Sequence, residues 1–340
     1  MNLFVTGGTG FIGSHLVDRL LGEESVNRIA CLIRKDERWL RGKDVEKVRG
    51  DLFSENAIQK ALEGVDTVFH LAAVVMAKNE DTYRRVNVDA AKNLVRMAKK
   101  AGVKKMILLS SLAAAGPSFG RPLTEQESPH PISGYGRSKW AMEQEVARLA
   151  DDSIDIIILR PPAVYGPRED QIFTLFKLMN SRIMPMAGNG FHPKLSLMHV
   201  DDVVQGLMKA LYSAVPQKES DGEESPVQQE AEGVRTYFLS GPSDVSWIEV
   251  KDAAEAAFQK RIFALKISSG TVLGIGSLAE TLAGLFGKYP VMNREKSREM
   301  VEEWCCSHKK ATRELGFEPE VSLRDGIADT LLWYRSHGWL

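Results

Sequence analysis

Tyr135 and Lys139 lie four residues apart in the segment YGRSK, so on a helix the phenol and the ammonium share one face. A tyrosine phenol has an ordinary pKa of about 10 and is a poor base at neutral pH. A lysine charge beside it favours the phenolate and lowers that value, which would let Tyr135 take and return a proton. Ser111 closes the apolar run KMILLSS (105–111), where its hydroxyl could hold a substrate oxygen while Tyr135 exchanges the proton. The chemistry open to such a trio is proton transfer at a carbonyl or an alcohol. A Tyr-x-x-x-Lys pair by itself describes many surface helices; it gains meaning from the serine upstream and from the turn at the start of the chain.

That turn is VTGGTGFIGSHL, with Gly7, Gly10 and Gly13 between an apolar strand-like run and a helical one, and Phe11 and Ile12 inside the turn. Glycines there allow a tight turn, let a pyrophosphate approach a helix N-terminus, and let helix and strand pack closely. The spacing is G-x-x-G-x-x-G, and no Lys-Ser/Thr of a phosphate-transfer loop follows. About 20 residues on, an acid would hold a ribose 2′-hydroxyl. The second run instead ends Ile33-Arg34-Lys35, with Asp36 and Glu37 only afterwards. Arg34 and Lys35 could bind a 2′-phosphate, which favours NADP(H), with NAD(H) as the other cofactor such a turn can hold. Asp51 and Leu52 follow the third strand region and could meet an adenine edge. His70, Leu71, Ala72 and Ala73 end the fourth, where small residues would let a cofactor cross the sheet. His70 has apolar neighbours and no metal-ligand spacing around it, and reads as a packed histidine.

The elements that must position these residues follow from the hydrophobic pattern. LFVTG (3–7), RIACLIR (28–34), TVFHLAA (67–73), KMILLSS (105–111) and DIIILRPPAV (155–164) are continuous apolar runs, as strands buried on both faces require. FIGSHLVDRLLG, ENAIQKALEG, VNVDAAKNLVRMAKKAG and YGRSKWAMEQEVARLA alternate with them at helical spacing. Strand–helix alternation argues an α/β fold, a parallel sheet with helices on both faces. The pattern loosens after about residue 165. Residues 216–233 hold six acids and one lysine and read as a solvated, flexible loop. A strand-like TYFLSG (236–241) then precedes mainly helical segments.

The chain of 340 residues balances 44 Lys and Arg against 45 Asp and Glu, so no basic nucleic-acid footprint is expected. Three cysteines, Cys31 and the adjacent Cys305 and Cys306, are too few for a disulfide framework. Residues Met1 to Gly13 lack the basic start of a signal peptide, and a cytoplasmic location is expected. The segment Ser269–Gly287, with Glu280 and glycines 270, 274, 276, 284 and 287, is marginal as a spanning helix. It reads as a buried or pocket-lining helix without stable membrane insertion, a loose peripheral contact remaining open.

TGGTGFIGSHL, Asp51-Leu52, HLAA, VNVDAAKNL, LLSSLAAAG, YGRSK, LRPPAVYGPR and HVDDVV together, in this order, resemble the extended short-chain dehydrogenase/reductases of the NAD-dependent epimerase/dehydratase superfamily. The resemblance spans nearly the whole chain. It implies a Rossmann-type doubly wound parallel sheet with a smaller, mainly helical C-terminal substrate lobe. Residues 1–165, rejoined by about 197–242, would form the cofactor domain, and 166–196 with 243–340 the substrate lobe. It implies a catalytic Ser111, Tyr135 and Lys139, with Asn87 supporting them at its helix start. Pro162, Ala163 and Val164 would pass beside the nicotinamide, and a homodimer would form through the helices around 86–102 and 138–150.

The family contains epimerases, dehydratases, reductases and steroid-type dehydrogenases, so the fold does not choose the reaction. Nucleotide-sugar epimerases usually carry an arginine before the V-D-D motif to grip a diphosphate; here the stretch reads GNGFHPKLSLMHVDDVV, with Lys194 the nearest cation. The run Lys194–His199 resembles the 3β-hydroxysteroid dehydrogenase and dihydroflavonol-reductase-like branch. SSGTVLGIGSLAETLAGLFGKYP offers either an aliphatic pocket wall or plain lobe core. The expectation is therefore an NADP(H)-dependent oxidoreductase acting on a carbonyl or secondary alcohol of a fairly hydrophobic steroid-, flavonoid- or acyl-like small molecule. Tyr135 would move the proton, Lys139 would lower its pKa and hold the nicotinamide ribose, and Ser111 would orient the oxygen. A nucleotide-sugar epimerase or dehydratase with tightly bound NAD is the alternative. A cofactor-binding sensor without turnover is a third reading, against which the intact trio stands.

Overall fold

The computed structural model describes residues 1–214, 233–285, 290 and 292–340. The acidic stretch at 216–233 lies outside the described residues except for Gly233, as do the last two residues of the 269–287 segment.

The first half largely alternates strand and helix: β1 (Asn2–Thr6), α1 (Phe11–Leu21), β2 (Arg28–Ile33), β3 (Glu46–Arg49), α2 (Glu55–Ala61), β4 (Thr67–His70), α3 (Glu80–Tyr83), α4 (Ala90–Lys100), β5 (Lys105–Leu109), α5 (Gly134–Ala147) and β6 (Asp155–Arg160). Then come β7 (Ala163–Tyr165), α6 (Phe173–Asn180), β8 (Ile183–Ala187), β9 (Leu195–His199), α7 (Val200–Tyr212), β10 (Val234–Phe238), β11 (Asp244–Val245), α8 (Trp247–Phe258), β12 (Phe263–Ile267), α9 (Ser269–Leu285), α10 (Arg294–Val301), α11 (Lys309–Leu315) and α12 (Leu323–Ser336).

Seven strands form one sheet in the order β10-β6-β5-β4-β1-β2-β3, and every pairing in it is parallel. Residues alternate between its two faces, as strand geometry requires. Leu3 and Val5 enter a core with α1 and α7, while Phe4 enters another with α2 and α4. Strand order reverses between β1 and β4, and the carboxyl ends of these neighbours open the crevice where ligands bind in such sheets. The fold is α/β, a Rossmann-type doubly wound sheet with a helical C-terminal region.

DIIILRPPAV is not one strand. β6 stops at Arg160 because Pro161 and Pro162 have no N–H to continue a ladder, and β7 leaves to pair with β9 in a three-stranded sheet with β11. TYFLSG shifts likewise: its strand, β10, is Val234–Phe238. β8 and β12 pair only with each other. The segment expected to be a buried or pocket-lining helix is helical as α9, but Leu273, Ile275, Leu278 and Leu282 on it are exposed. No described helix is long and apolar enough to cross a membrane.

Candidate active site

The turn after β1 is built by close approach. A Cβ on Gly7, whose φ is +78°, would stand 2.6 Å from the Ala72 nitrogen, and one on Gly13 would stand 2.2 Å from the Gly7 carbonyl oxygen. Gly10 differs: a Cβ there would meet only the Gly7 oxygen, at 3.2 Å. Gly10 is also the N-cap of α1, with no side-chain cap and no acid in the first turn. The amides of Phe11, Ile12 and Gly13 are therefore offered to an anion at a positive helix end, which is the fit a dinucleotide pyrophosphate needs. Opposite them, Leu71, Ala72 and Ala73 leave β4 half-buried, with the Leu71 N–H donating to the Thr6 carbonyl at 3.1 Å. His70 is buried with Nδ1 2.7 Å from the Thr6 hydroxyl, and burial pushes its imidazole down to about 3.

Arg34 and Lys35 follow β2 directly and are exposed. Asp51 accepts from the Phe53 N–H at 2.9 Å, and this bond holds its carboxyl below the usual range, with Arg85 and Arg34 adding smaller effects. Leu52 packs against the core on the α2 side.

α5 starts at the Ser133 N-cap and lies against a short 3₁₀ turn, Leu112–Ala114. The fit is so close that a Cβ on Gly136 would stand 2.3 Å from the Ala113 oxygen. Ser111 lies two residues beyond β5 and caps that 3₁₀ turn, its hydroxyl accepting from the Ala113 N–H at 3.1 Å. Tyr135, the second residue of α5, stands close enough to this turn for Ser111 to act on its phenol. Lys139 is buried and donates from Nζ to the Leu109 carbonyl at 2.6 Å.

The electrostatics depart from expectation. Burial pushes the Tyr135 phenol up to about 12, against which the Ser111 hydroxyl pulls only weakly. Burial pushes Lys139 down to about 8, opposed by the Glu143 carboxylate. Desolvation is the largest influence on the phenol, and the Lys139 ammonium donates to the Leu109 carbonyl at the end of β5.

Asn87 is not at a helix start. It sits inside a π-helical turn, Arg84–Asp89, that joins α3 to α4. Its Oδ1 accepts from the Val74 N–H at 2.8 Å, and its Nδ2 donates to the Val74 carbonyl at 3.0 Å and to the Ser138 hydroxyl at 2.9 Å. Ser138 in turn donates to the Tyr135 carbonyl at 2.7 Å. Asn87 thus ties the strand end after Ala73 to the tyrosine's own helix. Pro162 is buried, Ala163 exposed and Val164 half-buried, and the Leu112 N–H donates to the adjacent Pro161 carbonyl at 2.8 Å, holding this segment beside the Ser111 turn.

The sequence reading overlooked Glu143. It is buried one helical turn past Lys139, bonds the Ser110 hydroxyl, and pairs with the Arg160 guanidinium at 2.5 and 3.1 Å. Its signal was the (i, i+4) step from Lys139 combined with an arginine ending β6. A cavity of about 470 Å³ opens between Phe119, Asn189, His192, Glu303 and the first residue of α9, Ser269; the apolar body of α9 does not line it. No cluster of His, Cys, Asp and Glu fit to hold a metal occurs among the described residues, and Cys31, Cys305 and Cys306 are buried free thiols.

A glycine cradle at the end of β1, opposite small residues ending β4 and beside a Ser-Tyr-Lys group, defines a nucleotide-dependent enzyme of the extended short-chain dehydrogenase/reductase type. The NAD dependent epimerase/dehydratase family model matches residues 3–221, and the chain belongs to that family. It is 30% identical to the ceramide reductase of Caulobacter vibrioides, over 99% of this chain and 95% of that protein. The crystal structure of gox2253 superposes with a TM-score of 0.77 at 28% identity, covering 99% of this chain and 98% of that one. MoeE5 in complex with UDP-glucuronic acid and NAD gives 0.75 at 25% identity, covering 99% and 100%. Its relatives include the steroid-dehydrogenase and dihydroflavonol-reductase branch that the Lys194–His199 run resembles.

Proposed function

We propose that the chain is an NADP(H)-dependent reductase of a carbonyl on a fairly hydrophobic small molecule. A nicotinamide dinucleotide bound along the crevice would supply the hydride, or accept it in reverse. The residues present fit that group: the Phe11–Gly13 amides at a helix N-terminus could take its pyrophosphate, the half-buried Leu71–Ala73 would lie beside it, and the exposed Arg34 and Lys35 after β2 could take a 2′-phosphate.

The observation that carries the reading is the gathering of Ser111, Tyr135 and Lys139 where α5 seats on the 3₁₀ turn after β5, beside the glycine cradle. A phenol at about 12 is protonated at neutral pH, so Tyr135 is poised to donate, as carbonyl reduction requires. Ser111 holds the accepting oxygen beside it. Lys139, about 8, still carries most of its charge at neutral pH and steadies the phenolate left behind. Asn87 keeps Tyr135 in place through Ser138. The likeness to a ceramide reductase and the lack of an arginine near Lys194 support a hydrophobic substrate over a sugar diphosphate.

The alternative, a nucleotide-sugar epimerase or dehydratase that retains NAD, is favoured by the likeness to MoeE5. Nucleotide released on denaturing the purified protein separates the two. Stoichiometric NAD would overturn the reductase reading; an exchangeable site preferring NADPH, with Tyr135→Phe losing about 10²–10⁴-fold in turnover but little cofactor affinity, is the expected result. Arg34→Ala with Lys35→Ala should then erase the preference, weakening NADPH about 10–100-fold and leaving NADH unchanged.

A further inference from the structure

α9 and β12 form a surface that the reaction does not explain. Phe263 and Leu265 on β12 are 71% and 55% exposed, and Leu278 and Leu282 on α9 are 61% and 50% exposed. In the β8–β12 pair, Phe263 lies in register with Ile183, which is exposed too. Among the described residues, α10 is the helix that packs on α9. α10 approaches so closely that a Cβ on Gly276 would stand 2.3 Å from the Ser297 hydroxyl, and Glu280 accepts from the Arg294 N–H at 2.9 Å. A surface helix ordinarily turns charge toward solvent on its uncovered side. α9 has one acid, spent on α10, and turns leucine and isoleucine outward instead. Grouped apolar exposure of this kind marks a contact surface.

The charges around it say what the contact is. Residues 181–187 and 260–279 contain Arg182, Lys260, Arg261 and Lys266 and no acid, in a chain whose net charge is −1. Arg182 directly precedes β8, Arg261 comes just before β12 and Lys266 lies on β12, and all three are exposed. A second copy of the chain meeting this one about a twofold axis would set cations against cations. An anionic bilayer surface satisfies both parts, taking the apolar side chains at the headgroup boundary and the cations at its phosphates. α9 has 17 residues, roughly 25 Å of helix, which is short of the roughly 30 Å hydrocarbon core. It can lie along a membrane without crossing it.

We propose that β12 and α9 dock the enzyme peripherally on anionic lipid bilayers. None of the proposed catalytic residues lies on β12 or α9, so this holds whichever carbonyl the enzyme reduces. The test is co-sedimentation of the full chain with phosphatidylcholine vesicles with and without phosphatidylglycerol, alongside its mass in solution. The expected result is binding to the anionic vesicles, weakened roughly tenfold or more without phosphatidylglycerol or at about 0.5 M salt. Leu278→Ser with Leu282→Ser, and separately Arg261→Glu with Lys266→Glu, should each reduce binding at least as much. Both pairs are exposed, so circular dichroism and turnover of a water-soluble substrate should stay unchanged. Failure to bind either vesicle overturns the proposal. So does a dimer that Leu278→Ser dissociates, which would assign the patch to a second copy, and so does retained binding by both double variants.

Discussion

Lys139 has a cost to the fold as well as a use. Its folded-state pKa of about 8 lies below the ordinary 10.5, so between those values the unfolded chain binds more protons. Stability from this residue therefore falls as pH drops from about 10.5 to about 8 and is level below that. Lys139→Met should raise stability at neutral pH by about 1–3 kcal/mol in urea denaturation while turnover collapses. The same group sets a rate profile. The ammonium that steadies the tyrosinate is lost above about 8, so carbonyl reduction should decline as pH rises through that value, read from kcat/KM against pH. The placement of Tyr135, Lys139, Ser111 and the glycines was legible because it rests on local spacing and on the strand or helix that carries them. The direction of the tyrosine shift was not legible. It depends on desolvation and on where the lysine head points, and neither is a property of spacing.

At the scale of elements, α5 works as a plate bolted from several sides. Gly136 seats it on the Ser111 turn, Asn87 reaches it through Ser138, and Glu143 clamps it to β6 through Arg160. The Glu143–Arg160 pair is buried on both sides, so removing Glu143 takes a close charge partner from a buried guanidinium. Glu143→Ala should cost about 3–5 kcal/mol, and Glu143→Leu combined with Arg160→Met should recover most of that; chemical denaturation of the single and double variants measures both. The sequence pattern located this helix and its neighbours, since apolar periodicity reports burial directly. It missed the break at Pro161-Pro162, where an apolar run passes from one sheet to another, and the exposure of α9. Hydrophobicity says that a segment wants cover, and only the tertiary structure says whether this chain supplies it.

Across the whole molecule, α10 connects the C-terminal helices to α5. Glu295 accepts from the Gly134 N–H at 2.9 Å and pairs with Arg137, which also pairs with Glu80 on α3. These contacts surround the start of α5, beside Tyr135. The pairs are half-exposed and worth little to global stability, so their effect should fall on substrate binding. Glu295→Gln should raise KM for the carbonyl substrate about 3–10-fold with NADPH affinity and melting temperature nearly unchanged, read by steady-state kinetics and cofactor titration. For a homodimer through α4 and α5, none of the exposed large hydrophobic residues among the described residues lies on those helices. Contact there would be made by polar groups such as Lys92, Glu145 and Arg148.

The π-helical turn at Arg84–Asp89 can be viewed as surplus chain length. It holds one residue more than an ordinary helix would use over the same rise. Deleting one residue there would let α3 run into α4 as a continuous α-helix, with better-aligned backbone bonds. It would also turn everything on one side of the deletion by about 100°, carrying Asn87 away from either Val74 or Ser138. The shorter chain would be the better helix and the poorer catalyst. At this place in the protein, the bonds that hold α5 to the strand end after β4 depend on an imperfection that folding alone would remove.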